Sequence, residues 1–335
     1  MFQAESFRRI RLEDSRIIIP EMTRSAINSC ECTFGNLYVW GYPCGTKWQE
    51  YQKHFYFWLP CMDELFFMEG CPGISDPDAA ELAEISNVMQ KNGCKGTFFQ
   101  VRQEYLEKHP DITEYFKVEQ LPDASAEYIY SIEALVELKG EKLRKKRNLI
   151  KQFLREHPDA EIVGITPGKI LNDCLELSAQ WRQGQENPDT IPLRMESEAL
   201  SHLNDGFHEA GFEGIAVYTG GELAAYAIYS RINPEMYTES FEKSRFDFKG
   251  AAQFVNHEMA KRLTGKAKYI NREQDLGSEG LRHAKLSYAP ILLLKNFRLI
   301  PGMECQAEIK IGTRRVIEYI IHPLVKSLDE AIREP

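Results

Sequence analysis

The chain has 335 residues, of which 43% are hydrophobic and 27% charged, a balance that is ordinary for a globular protein with buried cores. The length predicts two domains. The formal net charge of −9 excludes a chain that binds polyanions over its whole surface, so any contact with nucleic acid or phosphate requires a local basic patch.

The cysteines and the N-terminus limit the class of protein further. The eight cysteines form no CxxC pair and no Cys/His spacing of a zinc site, so we expect reduced thiols, no metal and a cytoplasmic location. The N-terminus has no apolar core of a signal peptide, and no run of about 18 apolar residues occurs. We therefore expect no signal peptide and no integral membrane segment.

The N-terminal half alternates predicted strands and helices. Residues 32–70 are rich in Tyr, Phe and Trp and predict several strands. A helix follows, capped by Ser75 or Asp76 and ended by Gly93. Residues 96–101 predict a strand, and a second helix begins near Arg102.

A strongly basic run closes this half. Residues 138–155 carry eight Lys and Arg side chains against one acid, Glu141, a local charge of +7. The spacing of Leu143, Ile150, Phe153 and Leu154 predicts one buried helical face, so the basic side chains crowd the others. Such a face suits phosphate groups, because Lys and Arg neutralise their charge and release counterions. A solvated helix face is the alternative interpretation.

The C-terminal half predicts the order helix, hairpin, strand, helix, strand, helix, strand, and hence a mixed sheet with helices on its faces. Gly220-Gly221 is a strong hairpin signal, and Ser278 predicts the cap of the last helix. Residues 291–297 predict a single final strand. Residues 301–335 predict an appendage that contains an amphipathic helix interrupted by Pro323.

Two connections in this half could bind a ligand. The turn at Lys249 and Gly250 joins a strand to a helix, where backbone N–H groups can receive a phosphate, although many such turns contain Gly without binding anything. The second connection, residues 272–285, packs seven ionisable side chains after a strand end, where open α/β sheets bind ligands. Exposed ion pairs contribute little stability, so these charges favour a polar site over a loop pinned by salt bridges.

Three blocks of the sequence resemble a known family. Residues 128–153, 241–259 and 269–297 resemble the signature blocks of the phosphatidylglycerol lysyltransferase C-terminal domain family, in particular its soluble bacterial branch, and residues 33–40 resemble the first block of that branch. The resemblance covers about residues 7–300.

The resemblance implies an α/β fold with mixed sheets, built as two tandem GNAT-like (acyl-CoA N-acyltransferase-like) domains. We expect residues 1–157, with the basic helix, to form the first domain, residues 158–300 the second, and 301–335 the appendage. Related tandem enzymes, the lipid aminoacyltransferases and the Fem-type enzymes, move an aminoacyl group from charged tRNA to an amine or hydroxyl. Asp247 departs from the GNAT loop, which has Gln or Arg there before the pyrophosphate of coenzyme A.

We therefore expect a cytoplasmic aminoacyltransferase that needs no cofactor, uses charged tRNA and acts on a small-molecule, peptide or lipid acceptor. Transfer from an ester requires a proton acceptor, oxyanion stabilisation and tight placement of both substrates. The catalytic candidates are Glu242, Asp275 and Tyr288. The substrate-binding candidates are Lys243, Asn271, Arg272, Glu273, Arg282 and Lys285. The candidates for binding phosphate or tRNA are Lys145, Lys146, Arg147, Asn148, Lys249 and Gly250.

Two other classes stay open. One is an N-acyltransferase that uses a coenzyme A derivative at the Gly250 turn. The other is a non-catalytic module whose charged loop binds a ligand.

Overall fold

The computed structural model describes residues 2–302. Two seven-stranded sheets dominate it. The first sheet has the strand order β1-β2-β3-β4-β5-β14-β6, with strands Arg8–Arg9, Lys47–Tyr51, His54–Leu59, Glu64–Phe67, Thr97–Val101, Phe297–Pro301 and Phe116–Gln120. Only its β4–β5 pair is parallel.

The second sheet has the order β13-β7-β12-β11-β10-β9-β8, with strands Leu292–Leu294, Glu127–Ser131, Tyr269–Asn271, Met236–Ser244, Glu222–Asn233, Phe212–Thr219 and Glu161–Gly164. Its β11–β12 pair is parallel and the other pairs are antiparallel. Both sheets are therefore mixed.

The α-helices of the described chain are α1 to α11: Ser15–Arg24, Phe34–Val39, Gly41–Cys44, Ala79–Lys91, Gln103–Lys108, Ile132–Glu137, Arg144–Glu156, Lys169–Gln183, Ile191–Ser201, Ala251–Leu263 and Glu279–Leu286. Helix α4 covers one face of the first sheet, while α6, α7 and α10 cover one face of the second. The inner faces share one core, to which the first sheet gives Phe57 and Phe66 and the second gives Tyr226 and Phe241.

The two sheets exchange strands. Strand β7 comes before residue 157 but pairs in the second sheet, and β14 comes at the end of the described chain but pairs in the first. Helix α7 packs its Ile150 and Phe153 in the core of the second sheet. The sheets are thus not built from consecutive halves of the chain, and the domain limits at 157 and 300 stay a prediction.

Most predicted elements of the C-terminal half are confirmed. The hairpin turns at Gly220-Gly221, both with positive φ, and the Ser278 hydroxyl accepts a hydrogen bond from the Leu281 N–H. The apolar run after Pro290 is not one strand: it divides into β13 and β14, which join different sheets. The predicted helix in 301–335 lies outside the described residues.

Three expectations for the N-terminal half are wrong in part. Residues 34–44 form helices α2 and α3 instead of strands, because the Thr33 hydroxyl accepts a hydrogen bond from the Asn36 N–H and starts a helix there. The cap of α4 is Asp78 and not Ser75 or Asp76. Leu154 of α7 is exposed rather than part of the buried face.

The expectation that all cysteines are reduced is also wrong, since Cys44 and Cys61 form a disulfide bond. Cys44 ends α3, and Cys61 lies in the turn between β3 and β4. The bond therefore ties helix α3 to the β3–β4 turn of the first sheet.

Candidate functional site

The candidate site opens where strands β11 and β12 part. Their parallel pairing ends at Thr238 opposite Asn271, while β11 continues to Ser244. In the β10–β11 register, Ile228 faces Phe241 and Tyr229 faces Glu239, so Ser240 is an unpaired bulge residue. The bulge turns the side chain of Glu239 to the same side as that of Glu242.

Arg272 fills the gap between the two strands. Its Nε donates to Oε2 of Glu239, and its Nη2 donates to Oε2 of Glu242 at 2.8 Å. The amide oxygen of Asn256 on α10, when it faces the guanidinium, accepts two further hydrogen bonds at 3.1 and 3.2 Å. The largely buried guanidinium is thereby hydrogen-bonded to three side chains, two of which are carboxyl groups that compensate its charge.

The two carboxyl groups that hold Arg272 ionise differently. Burial, followed by the negative charge of Glu239, raises the pKa of Glu242 to about 8. Burial is the largest effect on Glu239 and opposes its ionisation, but the Arg272 charge, the hydrogen bonds with Glu242 and Arg272 and the Lys285 charge together outweigh it and lower the pKa of Glu239. At neutral pH one proton is therefore held by the pair, on Glu242.

Tyr288 and Lys146 form the outer wall of this site. The guanidinium carbon of Arg272 lies 5.1 Å from the ring centroid of Tyr288, and Nζ of Lys146 lies 4.0 Å from the same centroid. Burial raises the pKa of Tyr288, and Gln253 of α10 forms a hydrogen bond to it. The basic helix α7 thus reaches the polar site directly.

A cavity of about 210 Å³ lies beside the site, walled by apolar side chains that include Leu37, Trp40 and Met195, and by the two carboxyl groups of Glu31 and Glu273. Burial and the charge of Glu127 raise the pKa of Glu31 to about 7. Burial raises the pKa of Glu273 to about 8, although Lys285 opposes the shift. The cavity therefore offers two carboxyl groups that ionise most readily when a cation enters.

Two other candidates, Lys285 and Asn271, support the connection after β12. Nζ of the buried Lys285 donates to the carbonyl oxygens of Arg272 at 2.6 Å and Gln274 at 2.5 Å. Asn271 donates to Glu127 and accepts from the Glu273 N–H at 2.9 Å. These contacts fix a backbone in which Glu273 has a φ of +57°.

Asp275 and Arg282 form a bidentate ion pair. Nε and Nη2 of Arg282 donate to the two oxygens of Asp275 at 2.8 and 3.0 Å, and the Tyr128 hydroxyl donates to Asp275 at 2.6 Å. These hydrogen bonds hold the pKa of Asp275 well below its usual range. A carboxylate with such partners is a weak base, so the geometry gives it a structural task and does not favour the catalytic role that we predicted.

The Gly250 turn serves packing. A Cβ at Gly250, whose φ is +93°, would lie 2.3 Å from the carbonyl oxygen of Leu149 in α7. The neighbouring Asp247 is bound by Nε and Nη2 of Arg245 at 3.0 and 2.6 Å, and Lys249 is exposed. Helix docking explains this glycine, and phosphate binding at the turn stays a prediction.

The remaining candidates are dispersed. Lys145 and Asn148 are exposed on α7, whereas Nη1 of Arg147 donates to the carbonyl oxygens of Leu138 and Gly140 and so closes the end of α6. Lys243 points away from Arg272 and donates to Glu196 at 2.7 Å.

Sequence reasoning missed Glu31, Glu127, Glu239 and Asn256. Glu239 was hidden by strand alternation, which the bulge overrides, and Asn256 by its place in an ordinary amphipathic helix. Asn256 lies six residues after Gly250, in the second turn of α10, and this spacing is a signal that could have pointed to it.

Residues 2–302 contain no helix long and apolar enough to cross a membrane. They also hold no cluster of three or more His, Cys, Asp or Glu side chains arranged for a metal ion.

Solved structures share this fold. A conserved protein of unknown function from Bacteroides thetaiotaomicron is 29% identical with a TM-score of 0.81, over 88% of this chain and 99% of that one. L-PGS from Bacillus licheniformis is 12% identical with a TM-score of 0.62, over 95% and 98%. FemX is 9% identical with a TM-score of 0.55, over 88% and 97%. These likenesses confirm the predicted fold class, an α/β fold with mixed sheets.

A curated relative, an uncharacterised protein of Mycoplasmoides gallisepticum, is 20% identical over 184 residues, which is 54% of this chain and 58% of that protein. The chain thus matches little more than half of that relative's length. The family model described as phosphatidylglycerol lysyltransferase, C-terminal, matches residues 23–300. The chain therefore belongs to the phosphatidylglycerol lysyltransferase C-terminal family.

Proposed function

We propose that this protein transfers an aminoacyl group from a charged tRNA to an amine or hydroxyl acceptor. One observation carries the proposal. Lys146 of the basic helix α7 and Arg272 of the polar site contact the same ring, that of Tyr288, so the basic helix borders the polar site directly. A polyanion on the outer face of α7 would place its end next to the ionisable groups that ester transfer requires.

The outer face of α7 suits a nucleic-acid backbone. Lys145 and Lys151 on α7, and Lys142 just before it, are exposed and have no ion-pair partner within residues 2–302. In a chain of net charge −9 such a cluster is a local exception, and unpaired lysines bind phosphates without first breaking an ion pair.

The cavity at Glu31 and Glu273 suits the amino acid. Every aminoacyl ester carries an α-ammonium group, and these two carboxyl groups would hold it by charge-assisted hydrogen bonds while apolar walls receive a side chain. Glu273 is adjacent in sequence to Arg272, so an aminoacyl group in this cavity would present its ester close to the Arg272 site.

The Arg272 site supplies charge and a proton. The guanidinium stabilises negative charge that develops on the ester oxygen, and the proton on Glu242 is available for a leaving oxygen. Glu242 is thus better suited to donate a proton at neutral pH than to accept one.

The test is binding of bulk charged tRNA across a salt series. The variant Lys142→Glu, Lys145→Glu, Lys151→Glu should weaken binding and flatten the slope of log K against log salt by about 2 to 3 units. Arg147 is left unchanged because it closes α6. The matched control Arg16→Glu, Lys91→Glu, Arg194→Glu changes three exposed residues elsewhere and alters net charge equally.

Equal loss of tRNA binding in both triple variants would contradict the proposal, because overall charge and not the position of α7 would then explain the effect.

Coenzyme A is added as competitor in a second arm. Arg245 neutralises Asp247, which removes one obstacle to a coenzyme A derivative at the Gly250 turn. Binding of coenzyme A without binding of tRNA would favour the N-acyltransferase.

A further inference from the structure

Lys146 differs from the other basic residues of α7. Lys145 and Asn148 beside it are exposed, whereas Lys146 is half-buried with its Nζ 4.0 Å from the centroid of the Tyr288 ring. Within residues 2–302, Lys146 has no hydrogen bond and no ion pair. A cation held in a polar site without an anion is an unusual arrangement, because burial disfavours its charge.

The groups that face Lys146 add to this effect. Arg272, which directly follows β12, contacts the same Tyr288 ring, and Lys145 precedes Lys146 on α7. The nearby acid is Glu242 on β11. Burial, then the charges of Arg272 and Lys145, lower the pKa of Lys146 to about 8, and Glu242 opposes the shift only in part. A neutral amine is therefore well populated slightly above neutral pH.

The pKa values of Lys146 and Glu242 are shifted in opposite directions, towards neutral pH. One is a lysine that loses its proton easily, and the other is a carboxyl group that keeps its proton at neutral pH. Two ionisable groups whose pKa values converge near the working pH are the arrangement that general acid–base catalysis requires.

We propose that Lys146 is the proton acceptor of the transfer reaction, a role that rests on the proposed function. The acceptor nitrogen or oxygen bonds to the ester carbonyl carbon, and its proton passes to the lone pair of Nζ. The bond between that carbon and the ribose oxygen breaks. Nζ–H or the carboxyl group of Glu242 returns one proton to the leaving ribose oxygen, so no further reactant is needed.

The first test does not depend on activity. Carbon-13 NMR of the full chain with labelled lysine, with the Lys146 signal identified by its absence in Lys146→Arg, gives the titration of this side chain. The midpoint is expected near 8, against 10.5 for an ordinary lysine. A midpoint above about 10 would overturn the role of Lys146 and leave the proposed function standing.

The second test follows release of labelled amino acid from bulk charged tRNA to ethylamine or glycerol as probe acceptors, under single-turnover conditions. Lys146→Met and Lys146→Arg should both slow release by about 100-fold or more, since a guanidinium does not accept the proton. Binding of tRNA should change little in Lys146→Arg. The matched control is Lys91→Met, an exposed lysine of α4 outside the proposed site, which should keep the wild-type rate.

Three outcomes separate the claims. With glycerol as the acceptor, restoration of the Lys146→Ala rate by small tertiary amines, which accept a proton but cannot form an amide, would support proton transfer if it rises with amine basicity. A wild-type rate in Lys146→Arg would show that only the positive charge matters and would overturn the role alone. Absence of release by the wild-type protein would overturn both the role and the proposed function.

Discussion

Glu239 and Glu242 both accept hydrogen bonds from Arg272, although simple strand alternation would place their side chains on opposite faces of β11. The bulge at Ser240 makes this sharing geometrically feasible. The hydroxyl of Ser240 itself donates to Oδ1 of Asn36 at 3.0 Å, which ties the bulge to helix α2. The site therefore depends on a local irregularity that the surrounding layers hold in place.

Removal of Arg272 should be strongly destabilising. Arg272→Met leaves the buried Glu239 and the partly buried Glu242 without their cation, and loss of one member of such a cluster costs about 3 to 5 kcal/mol. Urea unfolding at neutral pH measures the change in the free energy of unfolding. Arg245→Met, which removes an arginine from a more exposed pairing with Glu222 and Asp247, should cost less than about 1 kcal/mol. Equal costs for the two variants would mean that the Arg272 cluster contributes no more than a surface pair.

Substitution of Gly250 should reveal the docking of α7 against α10. In Gly250→Ala the new Cβ meets the Leu149 carbonyl oxygen at 2.3 Å and also forces an unfavourable positive φ, so we expect a loss of about 3 kcal/mol or more. Gly265→Ala is the matched control: its φ is +79°, but nothing lies within 4 Å of the new Cβ. The control should lose only about 1 kcal/mol, the backbone cost alone. If chemical denaturation gave the same value for both, the close approach of α7 would be disproved.

The sequence predicted elements that short-range chemistry decides. Gly220-Gly221 and Ser278 act through their own backbone conformation and hydrogen bonds, so their neighbours matter little. The run from Leu292 to Pro301 shows the opposite case. Its division into β13 and β14 depends on which distant strand each part meets, Glu127–Ser131 or Phe116–Gln120, and no local pattern encodes that choice.

The sequence predicted the local part of the candidate site and missed the partners that come from distant parts of the chain. The density of charges after β12 drew attention to Arg272 and Glu273, which lie at the gap between β11 and β12 and at the cavity. Glu31, which shares the cavity with Glu273, lies 242 positions away from it in the sequence, and Glu239, which binds Arg272, lies 33 positions away. Only the exchange of strands between the two sheets and the bulge in β11 bring these residues close.

The ionisation of Glu273 predicts a pH dependence of stability. Burial raises its pKa from 4.5 to about 8 in the folded chain, so the folded state binds the proton more tightly than the unfolded state. This contribution to stability is fully present below pH 4.5 and is lost as the pH rises through about 8.

Glu273→Gln removes the ionisation while keeping the shape of the side chain. The variant should match the wild type in urea unfolding near pH 5 and exceed it by about 1 to 3 kcal/mol at pH 9. The exposed Glu209→Gln serves as the control and should follow the wild-type curve. A constant offset between Glu273→Gln and the wild type from pH 5 to pH 9 would contradict the raised pKa.

The disulfide between Cys44 and Cys61 should stabilise the wall of the cavity, which both residues line. It closes a loop with a sequence separation of 17, which corresponds to about 3 kcal/mol of lost chain entropy in the unfolded state. Cys44→Ser should lower the unfolding midpoint, and reductant should lower that of the wild type but not that of the variant. Cys94→Ser, which changes a free cysteine, controls for loss of a thiol. Thiol titration in urea decides whether the bond forms: two more thiols should react after reduction, and an unchanged number would show that Cys44 and Cys61 are not bonded.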